Sequence, residues 1–102
     1  MEKETLKQKI AFDIDETLIN MQNAPKYWVI DLLLWFKKLG WDVIVWSGGG
    51  VDYTKTIVHR LGLQDIVRVI PKASEKVDIA VDDMMDEKYN LSDKIAKVII
   101  KV

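Results

Sequence analysis

The sequence predicts an α/β fold: a mainly parallel, five-stranded sheet in a three-layer arrangement, with helices packed on its faces. Three observations predict it. Short apolar runs rich in β-branched residues alternate with stretches of helical periodicity, the pattern of strands buried on both sides of a parallel sheet. The first four strand-like runs are closed by acids, by serine and glycine, or by proline, so the elements are sharply punctuated. The chain has 102 residues, enough for one core that buries roughly two-thirds of the unfolded surface and too few for two. A single domain over residues 1–102 is therefore expected.

Residues 10–14 (Ile-Ala-Phe-Asp-Ile) form the first strand, and residues 17–25 a loop broken by Asn20, Asn23 and Pro25. Apolar residues at Tyr27, Ile30, Leu33 and Leu34 predict a helix over 26–39, stopped by Gly40. The β-branched and aromatic run at 41–46 is the second strand, ended by Ser47 and three glycines. A helix over 52–61 follows, with Asp52 as its cap and Gly62 as its stop. Residues 66–70 are a third strand, closed by Pro71; residues 78–81 a fourth, ending in Asp82-Asp83; residues 96–102 a fifth. Residues 86–93 read as irregular or a single helical turn. Most of the four tryptophans (Trp28, Trp35, Trp41, Trp46) are expected in the core, with Trp28 close to the mouth of any site at the strand ends.

Composition excludes several classes of function. The apolar fraction of 49 % and charged fraction of 30 % are those of a soluble globular protein. The net charge of −1 supplies no global basic field, so neither an extended nucleic-acid footprint nor membrane binding is expected. No run is long and apolar enough to span a bilayer. Residues 1–9 are polar and lysine-rich, unlike a secretory signal. The absence of cysteine excludes disulfides and thiolate metal sites. A cytoplasmic location is the expectation.

In open parallel sheets, ligands bind outside the carboxyl ends of the strands. Every conspicuous polar residue here falls at such an end. Asp13 and Asp15 follow the first strand, Ser47 the second, Lys72 the third, and Asp82 with Asp83 the fourth. Buried acids are costly unless paired or metal-bound, so two acidic pairs at one rim point to a cation. Lys72, fixed behind Pro71, is the better placed site lysine; Lys76, just before the fourth strand, is the alternative. Gly48-Gly49-Gly50 lacks the lysine of a phosphate-binding P-loop and the spacing of a dinucleotide fingerprint. It reads instead as a loop that frees backbone amides beside Ser47. Asp86 and Glu87 lie beyond the fourth strand, where either alone reads as part of a solvated turn rather than as an aid to the metal site. His59, the one histidine, is paired with no nucleophile and reads as structural.

The motifs carry a family resemblance. Phe12-Asp13-Ile14-Asp15-Glu16-Thr17-Leu18 resembles the first motif of the haloacid dehalogenase superfamily, whose phosphatases carry Asp-x-Asp-x-Thr. Val43-Ile44-Val45-Trp46-Ser47-Gly48 resembles the second motif, and Ile79-Ala80-Val81-Asp82-Asp83 the fourth; the third is a lysine. The resemblance implies a Rossmann-like fold of this superfamily without a cap domain. It implies a Mg²⁺-dependent phosphohydrolase that cleaves a phosphomonoester through an aspartyl-phosphate on Asp13. Asp15 would be general acid and base, its backbone carbonyl on the metal. Thr17 completes the catalytic motif. Ser47, Gly48 and Lys72 would hold the phosphoryl group. Asp13 and Asp83 would ligate Mg²⁺ directly, with Asp82 acting through water or on the lysine. The segments between motifs are too short for a cap, so an open site is expected. That suits a large phosphorylated substrate or a site covered by a second subunit of a homo-oligomer. The alternative is a non-catalytic module of the same fold that binds a metal or a partner. A phosphoacceptor receiver domain fits poorly, because the third strand ends in Ile70-Pro71 with no acid.

Overall fold

A computed structural model describes residues 7–83 and 94–102. The order of elements is β1 (Lys9–Phe12), α1 (Tyr27–Lys38), β2 (Asp42–Val45), α2 (Val51–Arg60), β3 (Arg68–Val69), β4 (Val77–Asp82) and β5 (Ala96–Lys101). All five strands are parallel, in the spatial order β3-β2-β1-β4-β5. The α/β class, the parallel sheet and the strand count thus match the sequence expectation, compatible with a Rossmann-like architecture. The segment 86–93, with Asp86 and Glu87, lies outside the described residues. Among the described residues no helix is long and apolar enough to cross a membrane.

β1 is the central strand, and its Ile10, Ala11 and Phe12 are all fully buried. Successive strand residues face opposite sides of a sheet, and the core divides accordingly. Ile10, Phe12, Val43, Val45 and Val81 pack with Val29, Ile30 and Leu33 of α1 and Ile57 and Val58 of α2. Ala11, Ile44 and Ala80 face the other way, with Trp46, Val77 and Ala96. Among the described residues both helices pack on the first of these faces; the greater part of the connection between β4 and β5, on which the three-layer expectation turns, lies outside the described residues. Among the described residues, Ile70 and Ala73 of the connection between β3 and β4 pack on the second face, together with Ile95. Small residues on the strands (Ala11, Ala80, Ala96) let this thin segment lie close.

The connection is held at its far end by charge. Arg68 reaches Asp42 and Glu75, each at 2.7 Å, and Lys9 reaches Glu75 at 2.7 Å. Arg68 and Lys9 hold the Glu75 carboxyl down to about 2. A turn follows β3, in which the N–H and the hydroxyl of Ser74 both donate to the Pro71 carbonyl. Ala73 sits there at φ 61°, a backbone region that non-glycine residues seldom occupy.

The helices depart from expectation in instructive ways. α1 buries Val29, Ile30 and Leu33 but exposes Tyr27 and Leu34. The sequence Tyr-Trp-Val-Ile-Asp-Leu-Leu-Leu-Trp-Phe is apolar nearly all round, so periodicity does not single out the buried face. The tryptophan expectation is corrected for the same reason. Trp46 is fully buried and Trp41 is half-buried against Phe36, but Trp28 and Trp35 on α1 face solvent. α2 begins after Gly50 at φ 99°, with no side-chain cap. Asp52 is therefore not the cap; it lies in the first turn, where a carboxylate favours the helix dipole.

Candidate functional site

Sheet register builds the site. Phe12 pairs with Val81 of β4, so the next residues, Asp13 and Asp82, leave neighbouring strands side by side; adjacent strands lie about 4.8 Å apart. Asp13 is held there by its N–H, which donates to the Val81 carbonyl at 3.0 Å. On the other side Phe12 pairs with Val45, which brings Ser47 to the same rim. The chain then leaves strand geometry. The N–H groups of Thr17, Leu18 and Ile19 all donate to the Ile14 carbonyl, and Glu16 adopts φ 61°. This sharp turn lets Asp13 and Asp15, with only Ile14 between them, line one cleft. Lys26 braces the turn by donating to the Glu16 carbonyl at 3.0 Å.

One oxygen from each of Asp13, Asp82 and Asp83 lies within 4.8 Å of the others, and all three residues are buried. The Lys72 ammonium, also buried, is 3.0 Å from Asp82 Oδ2 and 3.4 Å from Asp13 Oδ1. It descends from the turn after β3 that packs on the second sheet face. Lys76 lines a separate cleft with Lys9, Asp42, Val77 and Asp78 at the opposite, amino ends of the strands. Geometry therefore separates the two lysines: the ammonium at the acids is that of Lys72.

The buried carboxyls crowd one another. Burial first, and then the charge of Asp82, push the Asp13 carboxyl up to about 7 against the opposing pull of Lys72. A carboxyl raised above its unfolded value of 3.8 favours folding when protonated. Its contribution is complete below about pH 4 and is lost as pH rises through about 7. We expect metal-free protein to lose on the order of 4 kcal/mol of stability across that interval from Asp13 alone. Glu75, held down, acts in the opposite sense only in stronger acid. Urea unfolding in chelator at a series of pH values checks this; a profile flat from pH 4 to 7 would contradict it.

An open cleft of about 340 Å³ leads to the acids, lined by Asp13, Asp15, Glu16, Ser47, Gly48, Gly49, Lys72 and Asp83. Of the residues expected from sequence, Asp13, Asp15, Ser47, Gly48, Lys72 and Asp83 share this wall, and Asp82 stands behind it on Lys72. Ser47 is buried, and its Oγ accepts from the Gly49 N–H at 3.0 Å, which leaves the hydroxyl proton free to donate. Thr17 departs from its expected place. It is fully buried, absent from the cleft wall, and its Oγ1 has no hydrogen-bond partner among the described residues. Its observed part is in closing the turn through its main-chain N–H.

Asp15 does not join the carboxylate cluster. Its exposed carboxylate accepts a 2.6 Å hydrogen bond from the Tyr53 hydroxyl of α2. Tyr53 is the residue that sequence reading missed. Its hydroxyl is pushed up to about 12 by partial burial and by Asp15. The ring lies so close over Gly49 that a Cβ there would come within 2.8 Å of Tyr53 Cδ2. Gly49 is thus the surface on which the tyrosine rests, and the bare Gly49-x-x-x-Tyr53 spacing into a helix was its signal in the sequence.

The donor set fits a hard divalent cation. Magnesium takes oxygen ligands at about 2.1 Å, so opposite oxygens stand roughly 4 Å apart, close to the span of the three carboxylates. The raised Asp13 carboxyl indicates that Lys72 alone does not offset the charge around it. Comparison with protein-family models, with curated proteins and with solved structures found no match to this chain.

Proposed function

We propose that this chain is a Mg²⁺-dependent phosphohydrolase of the haloacid-dehalogenase type, without a cap, acting on a phosphomonoester. One observation carries the reading: three buried carboxylates from two adjacent strands converge within 4.8 Å, with the buried Lys72 ammonium on two of them. Asp13, Asp83 and the Asp15 carbonyl would hold Mg²⁺, with Asp82 through water. The ion would supply positive charge to offset the phosphoryl group and the attacking carboxylate.

The residues divide the remaining work. The Asp13 carboxylate attacks phosphorus, and the bond to the leaving alkoxide oxygen breaks as Asp15 donates its proton there. The product is an aspartyl-phosphate on Asp13. Asp15, now ionised, takes a proton from water, whose oxygen attacks phosphorus and frees phosphate and Asp13. Ser47 and the amides of the glycine loop donate to phosphoryl oxygens, and Lys72 offsets charge on the same group. Tyr53 fixes the direction of the Asp15 carboxylate. The open cleft leaves the remainder of the substrate outside, which suits a bulky phosphomonoester.

A screen of sugar phosphates, nucleotides, phosphopeptides and phosphorylated nucleic-acid ends, with and without Mg²⁺, tests the reading. Phosphate release that requires Mg²⁺ and is abolished by chelator is expected. Absence of turnover across the panel, together with no beryllium fluoride adduct on Asp13, would favour the non-catalytic metal-binding module.

A further inference from the structure

We propose that the outward face of α1 is a self-association surface, on which two copies of this chain pack with their α1 helices antiparallel about a two-fold axis. The face is unusually apolar for one turned to solvent. Tyr27 is 70 % exposed, Trp28 59 %, Trp35 56 %, Leu39 55 % and Leu34 42 %. The three aromatic rings alone present on the order of 400 Å², already the size of the largest apolar patch on an ordinary monomer. With the leucines and the charged residues among them, the face approaches the ~800 Å² per partner of a stable interface. Tryptophan and tyrosine are also the residues that anchor such interfaces.

The charges on this face select the occupant and its orientation. Asp31 and Lys38 lie on it, both exposed, and among the described residues neither has an ion-pair partner. At about 3.6 residues per turn, Trp28, Trp35 and Leu39 fall near one line along the helix, and Asp31 and Lys38 on a line beside it. The Lys38 ammonium lies 6.0 Å from the Trp35 ring centroid, so its stem is laid across the apolar surface rather than away from it. In an antiparallel pair, Trp28 of one copy meets Leu39 of the other, and Asp31 of each meets Lys38 of the other. The two sets of contacts share a register to within about one residue, or ~1.5 Å of rise. A parallel pair would set Asp31 against Asp31 and Lys38 against Lys38. The face is therefore complementary to itself in one orientation, which is what a two-fold interface requires. This inference is independent of the site chemistry, since a catalytically dead protein would associate equally.

Sedimentation equilibrium of the full chain over a concentration series tests it, with circular dichroism to establish that each variant is folded. Wild-type protein is expected to form a reversible dimer. Asp31→Lys and Lys38→Asp should each weaken it at least about ten-fold, because each sets like charges together across the interface. The double exchange should restore most of the affinity, and Trp35→Gln should abolish it. A monomer at every concentration overturns the proposal. So does a dimer indifferent to Trp35→Gln, or charge exchanges without reciprocal rescue. Binding of monomeric protein to anionic vesicles, with no dimer formed, would assign the face to a lipid surface and overturn it equally.

Discussion

Asp13→Asn is expected to abolish phosphate release while leaving the metal-free protein at least as stable as the parent. The substitution keeps the shape of the side chain and removes both its charge and its nucleophilicity. Loss of a covalent nucleophile typically lowers kcat by about a thousand-fold or more. Stability should move the other way. The Asp13 carboxyl is pushed up to about 7 by burial and by Asp82, so near neutral pH the fold bears the cost of a partly ionised, desolvated acid. A neutral amide removes that cost, although it weakens the contact with Lys72. Opposite movements of activity and stability mark a residue kept for chemistry at the expense of the fold. The measurements are phosphate release with Mg²⁺ and urea unfolding in chelator, both at neutral pH. Retention of more than a tenth of parental turnover would exclude Asp13 as nucleophile.

Lys72→Met has the largest expected effect on the fold. Its ammonium is almost wholly buried and contacts Asp82 at 3.0 Å and Asp13 at 3.4 Å. Removing one partner of a buried ionic cluster leaves its counter-charges desolvated and costs about 3–5 kcal/mol. That is a large part of the 5–15 kcal/mol that holds an ordinary domain together. The variant should melt far below the parent in chelator and recover part of the loss on addition of Mg²⁺, which supplies positive charge to the same carboxylates. Lys76→Met is the matched control. It lies in the cleft at the other end of the sheet, and its replacement should change stability by no more than about 0.5 kcal/mol. Equal effects of the two substitutions would remove Lys72 from the site.

The sequence located the strands well because their cues are local. A run such as Ile10-Ala11-Phe12 states that a strand is present, although the expected strand over 10–14 overran its observed end at Phe12 by two residues. Ile79-Ala80-Val81 before Asp82 and Asp83 likewise marks a strand, placed to within one residue at each end. Chemically costly residues at apolar strand ends are legible in one dimension, since each is judged against its own neighbours. The buried side of α1 was not legible, because a helix apolar nearly all round carries no contrast; the face it buries is whichever one the sheet covers. A helix predicted from propensity likewise does not state on which face of the sheet it packs; that α1 and α2 share one face is decided by the packing.

What one-dimensional order already contained was the chemistry at each strand end: the acids, the hydroxyl and the candidate lysines. Three-dimensional packing supplied their adjacency. Asp13 meets Asp82 because Phe12 pairs with Val81 in the ladder. Lys72 rather than Lys76 reaches them because the turn after β3 crosses the sheet at its carboxyl end. Tyr53 finds Asp15 because Gly49 leaves room for its ring. The division has a physical cause. Residue type and spacing follow from covalent neighbours, whereas contacts between residues tens of positions apart arise from hydrogen-bonded register and burial, which come into being as the chain closes on itself.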